Sequence, residues 1–248
     1  MNGENENKRF LSQNMENSVD LLMSYISSDI LESIANEDDS LVLESIAKRS
    51  DLNQNLIFKL AESNHFVVRA KIALNVSCGP DLLKKLYEEN LSYYKYKVRK
   101  NIVNNPNVTV ELLELLAKDK HSNVCASVAM HPETPDYIID ELINHSKKRV
   151  RESVLKNEKL SDDKFNSFAN DRSVDIRYAL ASDESGRVEV STLEILSKDS
   201  ESVIRAAVAK NKQTPIDIVK EMKNDESEMV IDTVNERLVG LSNPVRPF

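Results

Sequence analysis

The sequence contains no tryptophan and only four glycines in 248 residues. So few glycines cannot supply the many tight turns of a β-sandwich or barrel, and they leave little for a loop that cradles phosphate. Two cysteines, Cys78 and Cys125, make no disulfide framework and stand in no zinc-binding spacing. There is no apolar run of about 18 residues, the length a membrane span needs. The polar opening, MNGENENKRF, lacks the apolar stretch of a secretion signal, so a cytoplasmic location is expected. G-x-S-x-G, P-loop and G-x-G-x-x-G motifs are all missing, and the carboxylates scatter over what read as solvated helix faces. No catalytic centre is therefore expected. The histidines are His65, His121, His131 and His145. His121 and Cys125 are four apart, but zinc needs a third ligand and none is evident, so no metal or other cofactor is expected.

What is present is a repeat. The stretches SLVLESIAKR (40–49), FVVRAKIALN (66–75), YKVRKNIVNN (96–105), SNVCASVAMH (122–131), KRVRESVLKN (148–157), VDIRYALASD (174–183), SVIRAAVAKN (202–211) and EMVIDTVNER (228–237) align without gaps. Their fourth positions, Leu43, Arg69, Arg99, Cys125, Arg151, Arg177, Arg205 and Ile231, are spaced by 26, 30, 26, 26, 26, 28 and 26 residues. The position before each anchor is valine or isoleucine, and the position three after it is isoleucine, valine or leucine. Those two positions are four apart and share one face of a helix, which predicts a buried stripe. A second apolar helix follows each time, as in VELLELLAKD (110–119) and PDYIIDELIN (135–144). Two of these second helices are preceded by Thr134-Pro135 and Thr214-Pro215, which predicts a threonine N-cap with proline in the first turn. Neither helix of a unit can bury its stripe alone, but stacked neighbours can. The prediction is an all-α fold, an α-solenoid of about eight two-helix repeats of about 26 residues.

The order Val-Arg, then Val-Ala or its equivalent, then Asn-Pro or Thr-Pro, then a leucine-type helix resembles the leucine-rich repeat variant family, a HEAT-like class of helical repeat. VRKNIVNNPNVTVELLELLAKD (98–119) and VIRAAVAKNKQTPIDIVKEM (203–222) carry the resemblance best, and it extends over roughly 17–238. It implies a right-handed superhelix of α-helices alternating with short, in places 3₁₀, helices. Some members of that family carry a cysteine-rich iron–sulfur segment at the N-terminus. No cysteine precedes Cys78 here, so that cofactor is not carried over. The expected layout is a disordered polar stretch over 1–12, one repeat domain over 13–238 with capping helices at both ends, and an irregular tail over 239–248.

Arg69, Arg99, Arg151, Arg177 and Arg205 form a column that could meet a polyanion. The same column is filled by Leu43, Cys125 and Ile231, so it must be at least partly buried. The arginines are expected to lay their stems on the core and to pair with acids or helix-end carbonyls of a neighbouring unit.

Charge is distributed unevenly. The formal net charge is −8. Residues 65–156, however, hold 15 Lys+Arg against 11 Asp+Glu, whereas 1–64 and 157–248 are both acidic. Lys95 and Lys97 occupy the same two repeat positions as Lys147 and Arg149 two units later, with Lys120 between them and Lys148 alongside. All precede or open a first helix, where they would line one edge, the two outer clusters roughly 20 Å apart from the usual spacing of packed helices. The four extra residues of the 30-residue spacing fall at the same turn and bring Tyr93, Tyr94 and Tyr96. Insertions in repeat proteins map to loops of one face. Tyrosines beside lysines there suit a protein interface or base stacking. The other reading is that one or two tyrosines plug a gap between units while the lysines are simply solvated.

The candidate binding set is Tyr93, Tyr94, Lys95, Tyr96, Lys97, Lys120, Lys147, Lys148 and Arg149. The function it predicts is a non-catalytic scaffold that binds an acidic protein or peptide. The alternative is nucleic acid held by the same edge. A pI near 5.2, the acidic ends and the lack of tryptophan weigh against that alternative. No membrane partner is expected, and the sequence says nothing of the oligomeric state.

Overall fold

The computed structural model describes residues 14–242, apart from the side chains of residues 28, 29, 94, 241 and 242. Among the described residues all regular structure is helical, with no strand. The expected polar stretch over 1–12 lies outside them.

Two compact units divide the chain, 1–154 and 155–248. In the first, a helical run over 14–24 precedes the helix Ser28–Ile34. Four helix pairs follow: Ser40–Ala47 with Gln54–Ala61, Phe66–Ile72 with Pro80–Glu89, Tyr96–Val103 with Val110–Ala117, and Ser122–Met130 with Asp136–Leu142. The helix Lys148–Leu155 closes this unit. The second unit begins with Asp162–Ser167, which tightens into a 3₁₀ turn at Phe168–Asn170. It continues with Val174–Ala181 and Val190–Leu196, then Ser202–Lys210 and Ile216–Glu221 with a 3₁₀ turn at Met222–Asn224, and ends with Glu228–Ser242. That last helix runs four residues past 238, where the irregular tail was expected to begin; the remaining tail residues, 243–248, lie outside the described part.

Helices of six to ten residues are marginal in water by themselves, so packing must hold them. The predicted stripe does so. Fifteen of its sixteen positions are buried, most of them completely, and only Val42 in the first repeat is half-buried. Each such side chain contributes about 1.5–3 kcal/mol on leaving water. Within the first unit the first helices of successive repeats pack in sequence order, from Ser40–Ala47 through Phe66–Ile72 and Tyr96–Val103 to Ser122–Met130. Within the second, Val174–Ala181 packs on Ser202–Lys210, and that helix on Glu228–Ser242.

Helix starts are capped by side chains in several units. Asp39 accepts from the N–H groups of Leu41 and Val42, Asn53 from Leu56, and Thr109 from Leu112. The Thr-Pro expectation needs correcting. Pro135 and Pro215 themselves occupy the N-cap position, before Asp136 and Ile216. The preceding threonines face the other way. Thr134 Oγ1 donates to Val128 O at 2.6 Å and Thr214 Oγ1 to Val208 O at 2.7 Å, so each ties the inter-helix turn back to the first helix of its own unit.

Candidate functional site

The polar groups of the repeat position the site. The arginine column is covered at least in part, as its leucine and cysteine substitutes imply: Arg99, Arg151 and Arg205 are buried, and Arg69 and Arg177 half-buried. Arg99 is 1% exposed, and its Nε and Nη2 grip Asp119 at 2.5 and 3.0 Å. Arg177 grips Asp199 at 2.6 and 3.0 Å, and Arg205 grips Asp225 at 2.7 and 2.8 Å, each across two hydrogen bonds. The third guanidinium nitrogen turns to a main-chain carbonyl. Arg151, Arg177 and Arg205 use Nη1 to reach the carbonyls of His145, Asp171 and Asp199, six residues before each, and Arg69 does the same with Ser63. Cys125, which stands in this column, donates Sγ–H to Asp119 O at 3.1 Å, again six residues back. The thiol therefore fills the arginine's place in one of its bonds, and burial raises its pKa to about 11.

The acids that receive Arg99, Arg177 and Arg205 also shape the turns. Oδ1 of Asp119, Asp199 and Asp225 accepts the N–H of His121, Glu201 and Ser227, two residues on, and Asp171 Oδ1 makes the same bond with Ser173 N–H. Burial pushes the Asp199 carboxyl up, but Arg177 and the Glu201 N–H outweigh it and hold Asp199 below its ordinary value. Arg205 does the same for Asp225 against the opposing effect of burial.

The inserted turn keeps this pattern by substitution. Asn90, fully buried, takes the acid's place: its Oδ1 accepts Arg69 Nε at 3.1 Å. Its main-chain carbonyl accepts Arg99 Nη1, which also donates to Ser92 O at 2.7 Å. One guanidinium thus holds the start of the insertion and, through Asp119, the next turn of the first unit. Residues Tyr93–Lys95 form a 3₁₀ turn and Tyr96 opens the helix Tyr96–Val103, so the insertion is one ordered turn and not an open loop.

Held this way, the tyrosines meet His121. Tyr96 is half-buried and stacks on the imidazole at 3.8 Å between centroids and 5° between planes. Tyr93 lies tilted against the same ring at 4.8 Å and is 54% exposed. His121 Nδ1 accepts the N–H of Asn123 at 3.2 Å and so caps the helix Ser122–Met130. Burial holds this imidazole below its ordinary pKa, with Asp119 pulling the other way and the Arg99 and Arg149 charges adding to the lowering. His121 is a neutral acceptor here, and Arg149 is near enough for its charge to be felt at the ring.

Of the candidate set, Lys97, Lys120, Lys147, Lys148 and Arg149 are exposed and Lys95 is half-buried. Lys148 pairs with Glu152 at 3.5 Å. Among the described residues none of Lys95, Lys97, Lys120, Lys147 and Arg149 has a carboxylate within ion-pair distance. Elsewhere in the first unit Lys48, Lys71 and Lys85 are all paired, with Asp20, Glu44 and Glu62.

A second polar column runs beside the arginines. Six residues after the anchor, Asn75, Asn105 and Asn211 are buried and bridge to the preceding repeat. Asn105 Nδ2 donates to Ala73 O and Asn75 O, both at 2.9 Å, and its Oδ1 accepts Asn107 N–H at 2.8 Å. Asn75 and Asn211 make the equivalent bonds. Arg49 and Arg237 fill the column at its two ends and reach main-chain carbonyls with their guanidinium groups. The signal was present: asparagine ends four of the eight aligned stretches.

These features define the class: an α-helical repeat protein of the solenoid type, with columns of arginine and asparagine that tie helices and turns together within each unit. Among solved structures the chain is similar to a leucine-rich repeat variant described as having a novel repetitive structural motif. The TM-score is 0.67 at 18% identity, over 85% of this chain and 81% of the other. The likeness is one of fold. No family model matches the sequence, and no curated protein matches it. Among the described residues no helix is long and apolar enough to cross a membrane.

Proposed function

We propose that this helical-repeat protein is a non-catalytic scaffold that binds an acidic protein or peptide. The edge we assign to binding carries Tyr93, Tyr94, Lys95, Tyr96, Lys97, Lys120, Lys147, Lys148 and Arg149. The observation that supports it is that Lys97, Lys120, Lys147 and Arg149, all exposed, and half-buried Lys95 have no carboxylate within ion-pair distance among the described residues of an otherwise acidic chain. They belong to the same edge as Tyr93, which is largely exposed and follows a turn gripped by the buried Arg99 guanidinium. A solvated lysine costs nothing by itself, but like charges gathered on one edge repel each other, and an acidic partner relieves that. Exposed Tyr93 adds an aromatic anchor of the kind that carries binding energy at interfaces.

The test is affinity capture from a native extract with the wild-type chain and with Tyr93→Ala/Lys147→Glu/Arg149→Glu. The expected result is that acidic partners are retained at low salt by the wild type, eluted by rising salt, and lost from the variant. Retention of every partner by the variant would refute the assignment of this edge. A salt-dependent gel shift with an oligonucleotide, together with no captured protein, would turn the reading to nucleic acid.

A further inference from the structure

Beside this edge the first unit has a groove that the sequence did not point to. It has a volume of about 380 Å³ and lies between the first helices of neighbouring repeats, bounded by Phe66, Val67, Tyr96, Lys97, Lys100 and Asn123. Phe66 is 41% exposed although it opens a helix whose other apolar residues are largely covered. Lys71 lines the groove too, but its charge is answered by Glu44 at 3.2 Å. Lys97 and Lys100 have no such partner among the described residues. The wall is fixed: Asn101 Nδ2 donates to Ala70 O at 2.7 Å, and Tyr96 is stacked on His121.

We propose that this groove receives one apolar side chain of an acidic linear segment, whose flanking carboxylates meet Lys97 and Lys100. This rests on the reading of the neighbouring edge as a site for an acidic partner and names the chemistry of that partner. Three observations select the occupant. The volume is at the small end of ligand pockets, room for a side chain or two and not for a folded element. The apolar part of the lining is Phe66, Val67 and Ala70, enough to cover one hydrocarbon side chain, while the Asn101 amide is already given to Ala70 O. The uncompensated charge is positive and sits on two flexible stems at the rim, where they can close over carboxylates on either side of a buried side chain. Tyr96 contributes as a wall, since one of its ring faces is already given to His121.

The experiment measures fluorescence anisotropy of the full chain at low salt with two labelled peptides. One is a short run of alternating glutamate and aspartate with a single central leucine, and the other has serine in place of that leucine. A labelled oligouridine is the third probe. The leucine probe is expected to bind at least about fivefold tighter than the serine probe, as burial of one aliphatic side chain predicts. Lys97→Glu/Lys100→Glu is expected to weaken both peptides by about tenfold or more, and Phe66→Ser to remove the preference for leucine. Circular dichroism checks that each variant folds, and the lysine variant tests the groove whether or not Phe66→Ser folds. Equal binding of the two peptides, no loss on Lys97→Glu/Lys100→Glu, or no peptide binding at all would overturn the groove. Lys147→Glu/Arg149→Glu separates the two readings. If it abolishes peptide binding while the groove variants do not, the edge stands and the groove fails. If the groove variants act, Phe66→Ser among them, and this one does not, the groove stands and the edge is cut back to the Lys97 end, without Lys147 and Arg149. Binding of oligouridine with neither peptide bound overturns both.

Discussion

Arg99 shows how one residue serves both fold and site. Its stem belongs to the buried column, and its guanidinium joins Asp119 to the carbonyls of Asn90 and Ser92. The pair is almost fully enclosed, at 2% and 5% side-chain exposure. Removing one partner from such a pair leaves the other charge buried and unanswered. Asp119→Ala is therefore expected to cost about 3–5 kcal/mol of stability, read from the urea midpoint at unchanged slope. Arg99→Met/Asp119→Leu should cost less than the sum of the two single changes, by about 1–3 kcal/mol. Additivity would mean that the two side chains do not act as a pair. The burial of this column was legible in the sequence because leucine, cysteine and isoleucine share it. The partner was not, since Asp119 is twenty residues away and only the packing of one turn on the next brings the carboxylate to the guanidinium.

At the level of the element, the first helices that open at Phe66, Tyr96 and Ser202 are held to their predecessors twice, by an apolar stripe and by an asparagine that completes the preceding helix end. The last carbonyls of a helix have no partner within it. Asn105 supplies one to Ala73 and Asn75 and uses its own oxygen to close the turn at Asn107. Asn105→Ala leaves these groups buried or half-buried without their bonds. The expected loss is about 2–4 kcal/mol, measured by thermal or denaturant unfolding. A change below about 0.5 kcal/mol, the usual range for surface sites, would show that water replaces the amide at no cost. Helix type and stripe were legible because spacing alone sets which residues share a face. The direction of the Thr134 and Thr214 hydroxyls was not, because threonine before proline can cap forward or bond backward, and here the carbonyl of the neighbouring first helix decides.

At the level of the whole molecule, stacked repeats draw stability from nearest neighbours, so the paired acids tie the fold to pH. Asp199 and Asp225 are both held below their ordinary values by arginine partners in the second unit. A carboxyl whose pKa is lower in the folded than in the unfolded chain stabilises above its unfolded value, about 3.9, and that contribution is lost as pH falls through the folded value. Acid should therefore loosen the helices of residues 174–242 as these pairs are lost. Arg177→Met/Arg205→Met is expected to flatten the acid limb of stability below about pH 4, with faster amide exchange confined to the second unit. An acid limb identical to that of the wild type would show that the pairs contribute nothing to the linkage.

The sequence by itself determined the all-helical repeat, the two-helix unit, its stripe and the place of the insertion. Each of these follows from periodicity within about thirty residues of chain, where helix geometry converts spacing directly into facing. It also singled out the tyrosines and lysines by composition. Only the tertiary structure decided that Tyr96 stacks on His121 while Tyr93 lies tilted against the same ring and largely exposed, that Asn90 stands in for an aspartate, and that Phe66 and Lys100 face one groove with Lys97. Those pairings join residues of different repeats, and their distances are set by how helices stack, which spacing along a single chain does not encode.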